Sequence, residues 1–135
     1  MDWFNCKKKR LVKEVKSDNN LIESLIKSSD KKLRSQELLE LTNDTASSKI
    51  SLAYDSLRAL LEALAIKEGY KIYNHECYTS FLKEVMNKST LGDEFDKIRK
   101  TRNAINYYGE EVEKEEAKMI LKEIKRLINK ISNSL

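Results

Sequence analysis

The sequence has no proline, only three glycines and a single histidine. Few residues are therefore available to force sharp breaks, and 36% of the chain is charged, which points to long helices joined by short turns. Isoleucine and valine rarely alternate with polar residues over four or more positions, so no strand is expected. The two cysteines, Cys6 and Cys77, make no disulfide framework and their spacing suits no metal motif. They read as buried thiols of a reducing compartment. No apolar run approaches the roughly 20 residues that span a bilayer, and the N-terminus lacks the apolar stretch of a signal peptide. The expectation is an all-α protein of the cytoplasm, without membrane, metal or cofactor.

Charge is present, but unevenly. Residues 1–16 hold six basic side chains (Lys7, Lys8, Lys9, Arg10, Lys13 and Lys16) against Asp2 and Glu14, a net of +4. The other 119 residues hold twenty groups of each sign and are neutral. Attraction to polyanions would start at this N-terminal helix or arm, which otherwise reads as a solvated basic face.

The length suits one domain over residues 1–135, with 1–16 as its basic arm. A first helix is expected from Trp3 to Val15, and a second runs from a cap at Ser17 or Asp18 to about Leu41. The third, to Glu68, shows the clearest period: Ala46, Ile50, Ala53, Tyr54, Leu57, Leu60, Leu61 and Leu64. Gly69 suits the left-handed residue after its end. Asn74 can cap a fourth helix carrying Cys77, Phe81, Leu82, Val85 and Met86. The fifth starts at Thr90 or Asp93 and stops at Gly109. The last opens with acidic and closes with basic residues, in keeping with the helix dipole.

On the fifth helix Phe95, Ile98 and Ile105 mark the apolar stripe, and the stripe position between the isoleucines is Arg102. An inward arginine needs a carboxylate, a phosphate or several carbonyls. Asp55 and Glu62, on one face of the third helix, are the possible internal ion-pair partners. The alternative is a phosphate-binding fork, for which a planar guanidinium is well shaped. Asn103 and Asn106 would then bond bases or ribose, and Tyr107 and Tyr108 would stack on a base.

"KTRNAINYYG", with "DSLRALLEALAIKEGYKIYNHECYTSFL", resembles the HEPN domain found in prokaryotic toxin–antitoxin pairs beside minimal nucleotidyltransferases. The likeness covers about Asp18 to Leu127 and implies an up-and-down bundle of four to five main helices. In active members an arginine is followed, after four to six residues, by a histidine, and two such motifs face each other across a homodimer as a metal-independent endoribonuclease. Here Tyr107 stands five residues after Arg102, with Tyr108 and Gly109 next, so the histidine is replaced. The only histidine, His75, falls in the loop before the fourth helix, and nothing in the spacing joins it to Arg102.

The resemblance thus implies a homodimer that binds RNA or a nucleotide around Arg102 and works with a nucleotidyltransferase partner. Some such toxins are silenced by modification of a tyrosine near this place, but the register assigns that to neither Tyr107 nor Tyr108. Two alternatives stay open: an active ribonuclease using Tyr107 or His75, and a protein-interaction module in which Arg102 is only a core charge.

Overall fold

The computed structural model describes residues 1–135. Four long helices make the body: α2 (Asn19–Leu38), α3 (Ala46–Lys67), α5 (Ser89–Tyr108) and α6 (Lys114–Ser132). Two short ones, α1 (Trp3–Lys8) and α4 (His75–Ser80), complete six helices, and α4 runs on into a π-helical turn at Phe81–Val85. The all-α expectation holds.

Local chemistry explains most boundaries. Asp18 caps α2 by accepting from the Leu21 N–H (3.1 Å), and Asn74 caps α4 by accepting from the Glu76 N–H (2.8 Å). After α3 and α5 the chain turns through Gly69 (φ 92°) and Gly109 (φ 66°), left-handed conformations that cost glycine nothing. α5 begins at Ser89, ahead of both expected starts, and Asp93 instead pairs with Lys83 (2.7 Å).

α3 is the central helix. Its apolar stripe, Ala46 through Leu64, is buried against α5, α6 and α4. Its other side receives α2 at close range through a reciprocal pair. Ser29 Oγ donates to the Ser56 carbonyl (2.9 Å), and Ser56 Oγ donates to the Ser29 carbonyl (2.8 Å). At the end of α2, Lys49 is buried (6% exposed) and its ammonium donates to the carbonyls of Gln36 and Leu39, the latter at 2.6 Å. A side chain of α3 therefore helps to close the C-terminus of α2, taking the Leu39 carbonyl and sharing that of Gln36 with the Leu39 N–H (3.2 Å). On α5, Gly92 permits close approach to the helix before it. A Cβ there would overlap Lys83 Cγ and press on the Thr79 carbonyl (3.1 Å).

Three expectations are corrected at the N-terminus. The first helix stops at Lys8, not Val15, because Arg10 takes a left-handed φ of 59° and the chain straightens. Strands are present: β1 (Val12–Glu14) pairs antiparallel with β2 (Tyr70–Ile72), Val12 opposite Ile72. Each is three residues long, too short for an alternating pattern to register. The cysteines are not free thiols: Cys6 and Cys77 are joined as a disulfide that fixes α1 to α4. Trp3 packs edge-on against Tyr70 (5.1 Å between ring centres) and against Phe81 (5.9 Å). Residues 1–14 are thus a strap across α4 and β2. No helix is long and apolar enough to cross a membrane.

Candidate functional site

The site is assembled by three helices. Tyr54, Asp55 and Arg58 come from α3, Arg99, Arg102, Asn103, Asn106 and Tyr107 from α5, and His75 from the first turn of α4. Phe95 stacks on Tyr54 (6.1 Å, 19° between planes) and fixes α5 against α3 beneath the site. Ser51 Oγ donates to Asn106 Oδ1 (3.0 Å), a second tie between the same helices. One amide of the expected binding set is thereby engaged inside the chain.

Arg102 does turn inward, with 15% of its side chain exposed, and it lies between two aromatic rings. Its Cζ is 5.0 Å from the centre of Tyr54 and 5.7 Å from that of Tyr107, a cation–π arrangement on both sides. Polar contacts are sparse. Asp55 is 3.9 Å from Nη2, too long for a hydrogen bond, Nη1 reaches the Tyr107 hydroxyl at 3.4 Å, and the buried Nε has no partner. Glu62, the other expected partner, is taken by Arg58 (3.4 Å) and by Lys71 of β2. Lys71 reaches Glu62 from β2, a strand of three residues that leaves no alternating pattern in the sequence. Tyr107 (70% exposed) and Tyr108 (83% exposed) present their rings to solvent, and Asn103 is half-buried.

His75 does not stand apart, as its distance along the chain implied. Its Nδ1 is 3.1 Å from the hydroxyl of Tyr54, the same ring that carries Arg102 on its face. Burial lowers the proton affinity of the imidazole, and the cations of Arg58 and Arg102 lower it further, against a smaller opposite effect of Asp55. The histidine is therefore neutral at pH 7 and able to accept a proton. Burial raises the Tyr54 phenol to about 12 although three arginines oppose it. Arg99 is the least free of these arginines, donating to Asp96 at 2.8 and 3.1 Å. Burial pushes the Asp96 carboxyl up, but hydrogen bonds from Arg99, Lys100 and Thr79 outweigh it and hold it below the usual range.

The shift at Tyr54 gives a test by alkaline titration. The native state favours the phenol, so its contribution is intact below pH 10 and is lost as pH rises from 10 toward 12. Tyr54 should account for about 2–3 kcal/mol of the unfolding free energy lost over that window. Burial raises the Tyr78 phenol still further, so Tyr54→Phe should remove only the share of Tyr54 and leave a comparable loss from Tyr78. Equal alkaline profiles for both proteins would deny the buried phenol.

Sequence reasoning missed Tyr54, Arg58 and the contact to His75. One signal was available: Ser51, Asp55, Arg58 and Glu62 recur at helical spacing and form a polar stripe beside the apolar one. A tyrosine placed among buried residues also needs a partner for its hydroxyl.

Four long helices around a central α3, with a half-buried guanidinium between two tyrosines beside a neutral histidine, define an all-α bundle with a built cationic site. The chain belongs to the HEPN domain family, whose domain matches residues 22–134. That span leaves the strap of α1 and β1 outside. No curated protein and no solved structure matches the chain.

Proposed function

We propose that this HEPN domain binds RNA or a nucleotide at Arg102, as a homodimer working with a nucleotidyltransferase partner in a toxin–antitoxin-like system. The observation that carries the reading is the state of the guanidinium. It is oriented by two tyrosine rings, yet its nearest carboxylate is 3.9 Å away and its Nε is unpartnered. A core charge that served only packing would be closed on Asp55 by hydrogen bonds, because burial of an unpaired charge is costly. An open fork beside exposed Tyr107 and Tyr108 suits a phosphate with a stacked base.

Fluorescence anisotropy with single-stranded RNA tests this. Arg102→Ala should weaken binding about tenfold or more, the value of a lost charge-assisted contact, and affinity should fall steeply with salt. Unchanged affinity in a folded Arg102→Ala protein would remove the site. Sedimentation of the same protein tests the homodimer, and co-purification with a small nucleotidyltransferase tests the partner.

One observation favours ribonuclease activity as a second reading. Tyr54 brings a neutral imidazole beside Arg102, where it is suited to take the proton of an attacking 2′-hydroxyl. In that reading His75, not Tyr107, replaces the motif histidine, and His75→Gln should abolish cleavage while RNA is still bound.

A further inference from the structure

Residues 1–16 carry the whole net charge of the chain, and the fold does not consume it. Lys7, Lys8, Lys9, Arg10, Lys13 and Lys16 are all exposed, and none of them forms an ion pair. Asp2 is engaged in capping α1, where it accepts from the Asn5 N–H (2.8 Å). Phe4 is 69% exposed, and Lys7 and Lys8 follow it at the i+3 and i+4 positions, on the same face of α1.

The β ribbon extends this surface. Val12 and Ile72 turn to the core, so strand alternation places Lys13, Lys71 and Tyr73 on the opposite side. Lys13 lies directly across from Lys71, a like-charge pair that weakens the ladder. Glu62 takes the charge of Lys71, and Lys13 has no such partner. Tyr73 is 59% exposed. Hydrogen bonds then lead from the ribbon to the Arg102 site. The Tyr73 N–H donates to the carbonyl of Leu11 (2.8 Å), the residue after Arg10. Two residues beyond Tyr73, His75 meets the Tyr54 hydroxyl at 3.1 Å, and the Tyr54 ring carries Arg102 at 5.0 Å.

We propose that the strap is a second contact surface for single-stranded RNA, continuous with the Arg102 site. Lys7, Lys8, Lys9, Arg10 and Lys13 take phosphates, Tyr73 and Phe4 stack bases, and the strand runs on past His75 to Arg102. The proposal rests on the reading of Arg102 as a phosphate contact and selects its ligand: a strand of several nucleotides rather than a free nucleotide. An unpaired strand fits because its bases are free to stack on exposed rings between cations that follow its backbone. The disulfide, the ladder and Trp3 on Tyr70 hold the strap in place, so its cations need little ordering when the strand arrives. The strap lies outside the residues matched by the family, 22–134, so this surface belongs to the present chain rather than to the common bundle.

The test is fluorescence anisotropy on the full, disulfide-bonded chain with oligouridylates of about four and about sixteen nucleotides, the limits of common single-strand sites. The long strand should bind about tenfold tighter or more, the value of at least one added charged contact. Changing Lys7, Lys8, Lys9 and Arg10 together to glutamine should remove most of that advantage. It should also make the salt dependence of the long strand shallower by about 3 in the log–log slope, about 0.7 for each of four phosphate contacts. The short strand, bound at Arg102, should change little at physiological salt, where distant charges are screened. Changing Lys114, Lys118, Lys122 and Lys130 of α6 to glutamine removes the same charge elsewhere and should preserve the advantage of the long strand. Tyr73→Ala should weaken the long strand about fivefold or more, the value of one stacked base, and Tyr73→Phe should not. Melting curves verify that each variant folds.

Equal losses in the two four-residue variants would reduce the effect to net charge and overturn the strap contact. Equal affinity of the wild-type protein for the two lengths would overturn it as well. In either case, weakening of both strands by Arg102→Ala would leave the RNA-binding reading standing. No binding of either strand, or no effect of Arg102→Ala on either, would overturn that reading and the continuous path with it.

Discussion

Serine in place of Cys6 should lower the unfolding free energy by about 4 kcal/mol, the largest loss expected from any single change here. The disulfide to Cys77 closes a loop with a sequence separation of 71, and a long cross-link removes much entropy from the unfolded chain. A loss of that size would lower the melting temperature by roughly 10–20 °C in a protein of this length. Reductant should bring the wild-type protein to the same midpoint and should leave Cys6→Ser where it is. Coincident melting of the variant and the non-reduced wild type would show that the bond is not formed in solution.

The loss should also be local before it is global. Residues 1–14 are otherwise held by a three-residue ladder, by Trp3 against Tyr70 and Phe81, and by the Met1 ammonium on Glu76 (3.0 Å). Amide exchange in α1 and β1 should therefore quicken before exchange in α3, which sits in the core. The HEPN match begins at residue 22, so the part that loosens first lies outside the family's common bundle.

Lys49→Ala is expected to cost about 3 kcal/mol. The ammonium of Lys49 donates to the carbonyls of Gln36 and Leu39 where α2 ends against α3; without it the Leu39 carbonyl would lose its partner, while the Gln36 carbonyl would keep only the Leu39 N–H (3.2 Å). The alanine would also leave the space of the long side chain empty in a buried position. Lys49→Met separates the two effects. It refills most of the volume without supplying a donor, so any loss it shares with alanine belongs to the carbonyls. Denaturant unfolding of the three proteins measures this directly. A loss below about 0.5 kcal/mol in both variants, the range of ordinary surface changes, would mean that water serves the α2 terminus equally well.

How much of this was legible in advance differs from element to element. The stripe from Ala46 to Leu64 announced α3 because a long helix buried on one face repeats its apolar residues every three to four positions. Gly69, Gly109, Asp18 and Asn74 marked ends that depend only on local backbone and side-chain chemistry. The inward arginine was legible for the same reason, since Arg102 occupies a stripe position. Its environment was not. Tyr54 and Arg102 meet because α3 crosses α5, and His75 joins them because β2 and Asn74 set where α4 begins. Lys71 took Glu62 from a strand too short to leave a pattern, and Lys49 reads as an exposed helix residue until α2 is laid beside it.

The sequence by itself therefore determined the class of fold, the four long helices, most of their caps and the presence of one arginine on an apolar face. These follow from contacts within a few residues, which periodicity records. Only the tertiary structure decided that Cys6 and Cys77 pair, that Lys49 closes α2, and that His75 and Arg102 meet on one buried tyrosine. Those contacts join residues far apart in the chain, and their energies arise from helix crossings that no local spacing encodes.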